Sequence, residues 1–201
     1  MAGESDTDCN HVATLRFRSL REPPAFPPGL YAFYNPAMVD RFTAPLAYHL
    51  TFTTYGTWLH GDERSSVDRK SASAVKKHVP PDPMLKEYME DQLKHPKVLL
   101  HESARHIVRN AIDDYCRFKC WPLLALNVRT NHVHLVVKAV DQPSKMLNAV
   151  KARATRLLRE AGEFEPTQPI WTERGNKGRL LTQKAVNDAI DYVNNQQGPS
   201  I

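Results

Sequence analysis

Two histidines one residue apart mark the segment richest in chemistry, Asn131-His132-Val133-His134-Leu135-Val136-Val137. In an extended chain, residues two apart project from the same face, about 6.5 Å from one another along the strand. Two imidazoles placed this way can converge on one metal ion, while Val133 between them turns into the core. Two imidazoles are an incomplete ligand set, so a third donor has to come from elsewhere. Near the C-terminus, Tyr192 and Gln196 stand four residues apart, one turn of a helix, on the same face. A phenol and an amide carbonyl then point together beside the packed side of that helix. Taken singly, both patterns also have plainer readings. Histidines in a strand are often half-buried surface residues, and a boundary tyrosine often gives its hydroxyl to water. Cys116 and Cys120 would share a helix face as half of a zinc site. Two further ligands at suitable spacing are missing, so they read as small core residues.

The elements that must carry these groups follow from periodicity. Residues 47–58 (AYHLTFTTYGTW) alternate in type. Leu50, Phe52 and Thr54 fall on one face, and His49, Thr51, Thr53 and Tyr55 on a wet, hydroxyl-rich one. Residues 60–100 read as an irregular insert with a helix over 83–93 capped by Asp82. Residues 103–120 form a helix on the spacing of Ile107, Val108, Ala111, Ile112 and Tyr115, stopped by Trp121-Pro122. Residues 123–140 form a strand pair around the turn Arg129-Thr130-Asn131. Val133, Leu135 and Val137 lie on one face; His132, His134, Val136 and Lys138 lie on the other. Residues 144–162 form a basic helix capped by Ser144 and ended by Gly162. Residues 170–181 are a strand or hairpin. Thr182 caps a last helix over 183–197, with Val186, Ala189, Ile190 and Val193 as its apolar stripe and Gly198-Pro199 as its stop. Strand, insert, helix, strand, strand, helix, strand, helix predicts an α+β fold. A ferredoxin-like, split βαβ antiparallel sheet with helices on one face fits that order.

Composition bounds the rest. With 201 residues, one domain of ordinary size is expected, with a core that needs no disulfide staples. No run of about 18 apolar residues exists, so no transmembrane helix is expected. Three cysteines are too few for a disulfide framework and point to a reducing, intracellular setting. The excess of 27 Lys+Arg over 22 Asp+Glu is compatible with a nucleic-acid partner. Residues 1–44 lack a secretory pattern and, with prolines breaking 15–30, read as a loosely ordered extension. Met38 is a second candidate start. The main domain is expected over 45–198, with 199–201 as a tail.

Together, NHVHLVV and, 58 residues after His134, Tyr192 in YVNNQ resemble the HUH single-strand DNA transposases with one catalytic tyrosine. The REP-associated tyrosine transposases and their insertion-sequence relatives are the nearest branch, and Trp171 in PIWTERG resembles the aromatic strand before their last helix. The long insert at 60–100 and the extension before residue 45 depart from that pattern. The resemblance implies Tyr192 as the catalytic nucleophile, and His132, His134 and Gln196 as ligands of Mg²⁺ or Mn²⁺. It implies cleavage and rejoining of single-stranded DNA through a 5′-phosphotyrosine link that needs no external energy source. The implied substrate carries imperfect hairpins at element ends. Arg129, Lys138, Lys145, Lys151, Arg153, Arg156 and Arg159 become candidate phosphate contacts, and Thr51, Thr53 and Tyr55 neighbours of the site. A homodimer without membrane association, in the bacterial cytoplasm at the nucleoid, is implied as well. The competing readings are a sequence-specific single-stranded DNA binder that has lost cleavage, a zinc hydrolase, and a ferredoxin-like nucleic-acid binder without chemistry. In the hydrolase case, Val136 and Val137 stand where the metallo-β-lactamase pattern wants Asp and His.

Overall fold

The computed structural model describes residues 44–64, 66–68 and 77–196. The extension expected over 1–44 falls outside them but for its last residue, as do the tail and the Gly198-Pro199 stop. Four strands form one sheet in the order β4-β5-β1-β6, every pair antiparallel. They are β1 (Ala47–Thr53), β4 (Leu123–Val128), β5 (His132–Val137) and β6 (Asn176–Leu180). Counting only these four in chain order, the sheet runs 4-1-3-2 and the path is β-α-β-β-α-β, the expected split βαβ arrangement. Strands β2 (Ser66–Asp68) and β3 (Lys77–Val79) make a separate two-stranded ribbon inside the insert.

Helix α2 (Glu102–Phe118) and helix α3 (Pro143–Glu160) cover one face of the sheet. Ala104, Val108, Ala111, Ile112 and Cys116 line α2, and Met146, Leu147, Val150, Ala154 and Leu158 line α3, at the three- and four-residue spacing of one helical stripe. They meet Leu50, Phe52, Val133, Leu135 and Val137 in one large core. Burial there pushes the Cys116 thiol up to about 12, as suits a small core residue. The final helix, α4 (Gln183–Asn195), lies on the opposite face. Its Val186, Ala189 and Val193 meet Ala47, Ala125 and Val136 in a second, smaller cluster. The sheet is therefore sandwiched unequally, and the imidazoles share a face with the smaller cluster.

Helix ends follow local chemistry. Thr182 Oγ1 accepts from Ala185 N–H at 3.2 Å, and Asp82 Oδ1 accepts from Leu85 N–H at 3.1 Å to start α1 (Pro83–Asp91). Both caps agree with expectation. Helix α3 instead begins at Pro143, with Gln142 as an N-cap that makes no side-chain bond, so Ser144 lies inside it. It ends as expected at Gly162, whose φ of +74° turns the chain, with Glu163 N–H on Leu158 O at 3.0 Å. Helix α2 closes the same way one residue past its cap. Cys120 takes the left-handed position (φ 52°), and Trp121 N–H bonds Cys116 O at 2.9 Å. The segment expected as a strand or hairpin over 170–181 resolves into a single bridge, Thr54 to Trp171, and the edge strand β6. Gly175 lies between them where the backbone passes Thr51 O so closely that a Cβ would have no room.

The insert is less irregular than the sequence suggests. Its end joins the large core through buried Val98 and Leu100. Their amides bond Tyr55 O at 2.9 Å and Thr130 O at 2.7 Å, tying the insert to the turn before β5.

Candidate active site

Strand pairing builds the site in rungs. One rung across the sheet reads Asn127, His134, Thr51, Asn176, and the next reads Ala125, Val136, His49, Gly178. Directly paired residues share a face, so the seven with side chains share the face on which α4 lies. His132 pairs with Thr53 one rung further out. The alternation read from the sequence therefore holds for both strands up to residue 54. Tyr55 departs from it: its side chain packs with the large core, and its hydroxyl accepts from Lys94 N–H at 3.2 Å. The chain has by then turned toward Gly56 and the insert.

His132 and His134 stand edge to face with ring centroids 4.9 Å apart. His132 Nδ1 lies 2.6 Å from Asn131 Oδ1, which can only accept, so the ring proton sits on Nδ1 and the lone pair on Nε2. His134 is buried, at 7% exposure, and its Nδ1 lies 2.9 Å from Thr51 Oγ1. His49, an unassigned wet-face residue in the sequence, completes the group. Its Nε2 is 3.2 Å from His134 Nδ1 and 3.4 Å from Thr51 Oγ1. Burial lowers the His49 pKa below its ordinary value, so at neutral pH the ring is uncharged. The Thr51 hydroxyl, which both donates and accepts, bridges the two rings, taking a proton from one imidazole and giving its own to the other.

Tyr192 lies over this group. Its ring centroid is 5.6 Å from that of His134 and 6.0 Å from that of His49, edge to face in both cases, and the residue remains 39% exposed. Its position is set by its neighbour. Asn127, fully buried, donates its Nδ2–H to Val193 O at 2.9 Å, pinning the last turn of α4 to β4. Asn127 Oδ1 is buried and makes no hydrogen bond. Gln196, the C-cap of α4, donates its side-chain amide to Asp191 Oδ2 at 2.9 Å. The amides of Asn195 and Gln196 hold the Asp191 carboxyl below its usual range.

The fit to a divalent ion can be judged from this donor set. Among the described residues, no three His, Cys, Asp or Glu side chains form a metal cluster. A pair of imidazoles suits Mn²⁺ better than Mg²⁺, and a side-chain oxygen such as that of Gln196 would have to complete the set.

The candidate phosphate contacts divide by face. Arg129 and Lys138 flank β5, half-buried and exposed in turn. Arg153 and Arg156 belong to α3, across the sheet from the imidazoles; Arg156 pairs with Glu160 at 3.4 Å. Arg159 bonds Gln168 O at 3.2 Å. Lys151 corrects the expectation. It is 6% exposed, and its Nζ donates to the carbonyls of Thr172 and Arg174, each at 2.8 Å. It closes the 172–174 loop over the core, where a DNA phosphate does not reach. Burial, with Lys177 nearby, lowers its pKa to about 8.

The model of the IS200-like transposase family matches residues 93–196, more than half of the chain, including both histidines and Tyr192. Among solved structures, the chain is similar to a REP-associated tyrosine transposase bound to a REP hairpin. That likeness has 14% identity and a TM-score of 0.44, over 75% of this chain and 65% of that one. The chain thus spans less than two thirds of that relative. It is also similar to a crystal structure assigned to a Deinococcus radiodurans transposase, with 16% identity and a TM-score of 0.43, over 77% of this chain and 92% of that one. No curated protein sequence matches it.

Proposed function

The chain belongs to the IS200-like transposase family, and from that premise we propose that it cuts and rejoins single-stranded DNA through a covalent bond between Tyr192 and a 5′-phosphate. The reading is carried by one observation: the Tyr192 ring stands edge-on to His134, 5.6 Å between centroids, on the face that bears both imidazoles of the HxH strand. The Tyr192 oxygen attacks phosphorus, the bond from phosphorus to the 3′ oxygen breaks, and that oxygen takes a proton to leave as a 3′-OH. An ordinary phenol has a pKa near 10, so the proton has to leave Tyr192 as the attack proceeds. The link keeps the bond energy, so a second 3′-OH reverses the step and joins strands.

His132 and His134 would hold Mg²⁺ or Mn²⁺ through Nε2, with Gln196 contributing its side-chain oxygen once released from Asp191. Such an ion supplies Lewis-acid polarisation of the scissile phosphate. Asn131 and Thr51 orient the two rings, and Asn127 holds Tyr192 at its height over the sheet. Arg129 and Lys138, at the two ends of β5, are the proposed phosphate contacts of the site face. Arg153 and Arg156 are placed to meet only a strand that wraps to the far side. The proposed substrate is single-stranded DNA bearing imperfect hairpins, and the proposed assembly is a homodimer.

Incubating the protein with a stem-loop oligonucleotide and Mn²⁺ should trap an adduct that survives denaturing electrophoresis. Tyr192→Phe should lower its yield by at least about 10³-fold while DNA affinity holds. An adduct of undiminished yield in Tyr192→Phe would place the nucleophile elsewhere. Binding without an adduct in the parent protein would favour the cleavage-silent reading.

A further inference from the structure

Residues 54–64 and α1 belong to neither the sheet nor the imidazole group, and the loop ties α1 to the turn before β5. Thr54 and Thr57 direct their hydroxyls to Asn131 O, at 3.1 and 3.3 Å. Gly61, at φ +87°, presses the loop onto the start of α1, where a Cβ would collide with Asp82 O and Lys86 N. Arg64 is locked from three sides. Its Nε and Nη2 donate to Asp62 at 2.7 and 3.0 Å, and Nη2 also donates to Thr57 O at 2.8 Å. The guanidinium carbon lies 4.9 Å from the centre of the Trp58 ring, which stays 43% exposed.

Between this loop and α1 runs a cleft of about 180 Å³, lined in part by Thr57, Lys86, Glu90, Lys97 and Asn131. Asn131 is the residue bonded to His132, so the cleft begins one residue from the proposed ion site. The Asp62 charge is matched by Arg64, which leaves two ammonium groups and one carboxylate along the wall. That mixture suits a nucleotide: ammonium groups for the phosphates, and a carboxylate that repels phosphate but accepts from the amino edge of a base. An indole braced by a guanidinium is a stacking surface for unpaired bases.

We propose that this cleft seats an unpaired nucleotide of the DNA strand beside the scissile phosphate, with Lys86 and Lys97 on its phosphates and Trp58 stacking the neighbouring base. The proposal deepens the function given above and rests on single-stranded DNA being the substrate of the imidazole face. It gives the insert, most of which precedes the family match, a role in substrate recognition.

The test compares two probes on the full chain in EDTA, where no cutting occurs. One is a blunt stem-loop oligonucleotide; the other carries a mixed-sequence single-stranded tail of about ten nucleotides containing 2-aminopurine. The tail should tighten binding, and its fluorescence should be quenched. Lys86→Ala/Lys97→Ala should weaken tailed binding about tenfold and lower the salt slope by about two. Trp58→Ala should lose the quench and weaken tailed binding about tenfold, and Trp58→Phe should restore both. Variants that keep the parent circular dichroism and the parent affinity for the blunt probe, yet bind the tailed probe with unchanged affinity and slope, would overturn the proposal. So would a parent protein indifferent to the tail. A parent that shows the tail effect but forms no adduct with Mn²⁺ would remove the covalent chemistry and leave the cleft standing.

Discussion

His134 is nearly out of reach of water, and a buried imidazole needs its ring nitrogens matched. Thr51 Oγ1 at 2.9 Å and His49 Nε2 at 3.2 Å stand against its Nδ1, so the Thr51 hydroxyl helps to orient the ring of a proposed metal ligand. Thr51→Val keeps the shape and removes the hydroxyl. It should lower Mn²⁺ affinity by roughly 10- to 100-fold, read by electron paramagnetic resonance, with Thr51→Ser close to the parent. Affinity unchanged in Thr51→Val would mean that His134 is not oriented through this bond. At this scale the sequence was legible where spacing is local. The HxH alternation translates directly into a shared face, whereas Gln196, past the last helical residue, gives its amide to Asp191. It was opaque where partners are far apart in the chain. His49 meets His134 across 85 residues, and nothing in the type or setting of His49 announces that contact. Lys151 was misread for a related reason. Its charge was counted with its neighbours on a basic helix, whereas its position on the buried stripe decides its role.

Among the elements, α4 is the one whose placement would control the proposed chemistry, and it is held lightly. Six buried side chains, Leu124, Leu180 and Ile190 partly buried around them and, among the described residues, one side-chain hydrogen bond from Asn127 dock it on the sheet. Asn127→Ala leaves Val193 O without that donor, a loss on the order of 1–3 kcal/mol. Amide exchange in residues 183–195 should then quicken by roughly ten- to a hundredfold, while α2 and α3 keep their protection. Equal loosening in all three helices would show Asn127 to be a general core residue. The helices themselves were readable from caps and stripes: Thr182, Asp82 and Gly162 do what their residue types predict. Boundaries failed where Pro143 outcompeted Ser144 as the starting signal. The insert was harder to read, because its contribution comes from Val98 and Leu100 at its very end and from a tertiary fit at Gly61 that no local pattern encodes.

Across the whole molecule, the larger core on one face carries most of the burial, and Lys151 sits at its rim. Its pKa, ordinary in the unfolded chain and lowered to about 8 by burial in the folded one, has a definite consequence. Between those two values the unfolded state binds the extra proton, so this residue's contribution to stability rises with pH. Relative to Lys151→Met, the parent should gain about 2 kcal/mol from about pH 8 to about pH 10, measured by denaturant unfolding. A flat difference would mean that the ammonium stays charged on its carbonyls throughout. The ferredoxin-like path was legible from element order alone. Which face each helix takes was not, since an amphipathic stripe says that a helix is covered and not by what.

The unequal sandwich has an evolutionary corollary. Because the imidazoles, Tyr192 and its helix lie on the side of the minor cluster, erosion of the proposed catalytic face subtracts little from what keeps the chain folded. On the proposed reading, a lineage built on this plan can forfeit the tyrosine and retain a sound scaffold, so descendants kept for grip instead of scission lie only a few substitutions away.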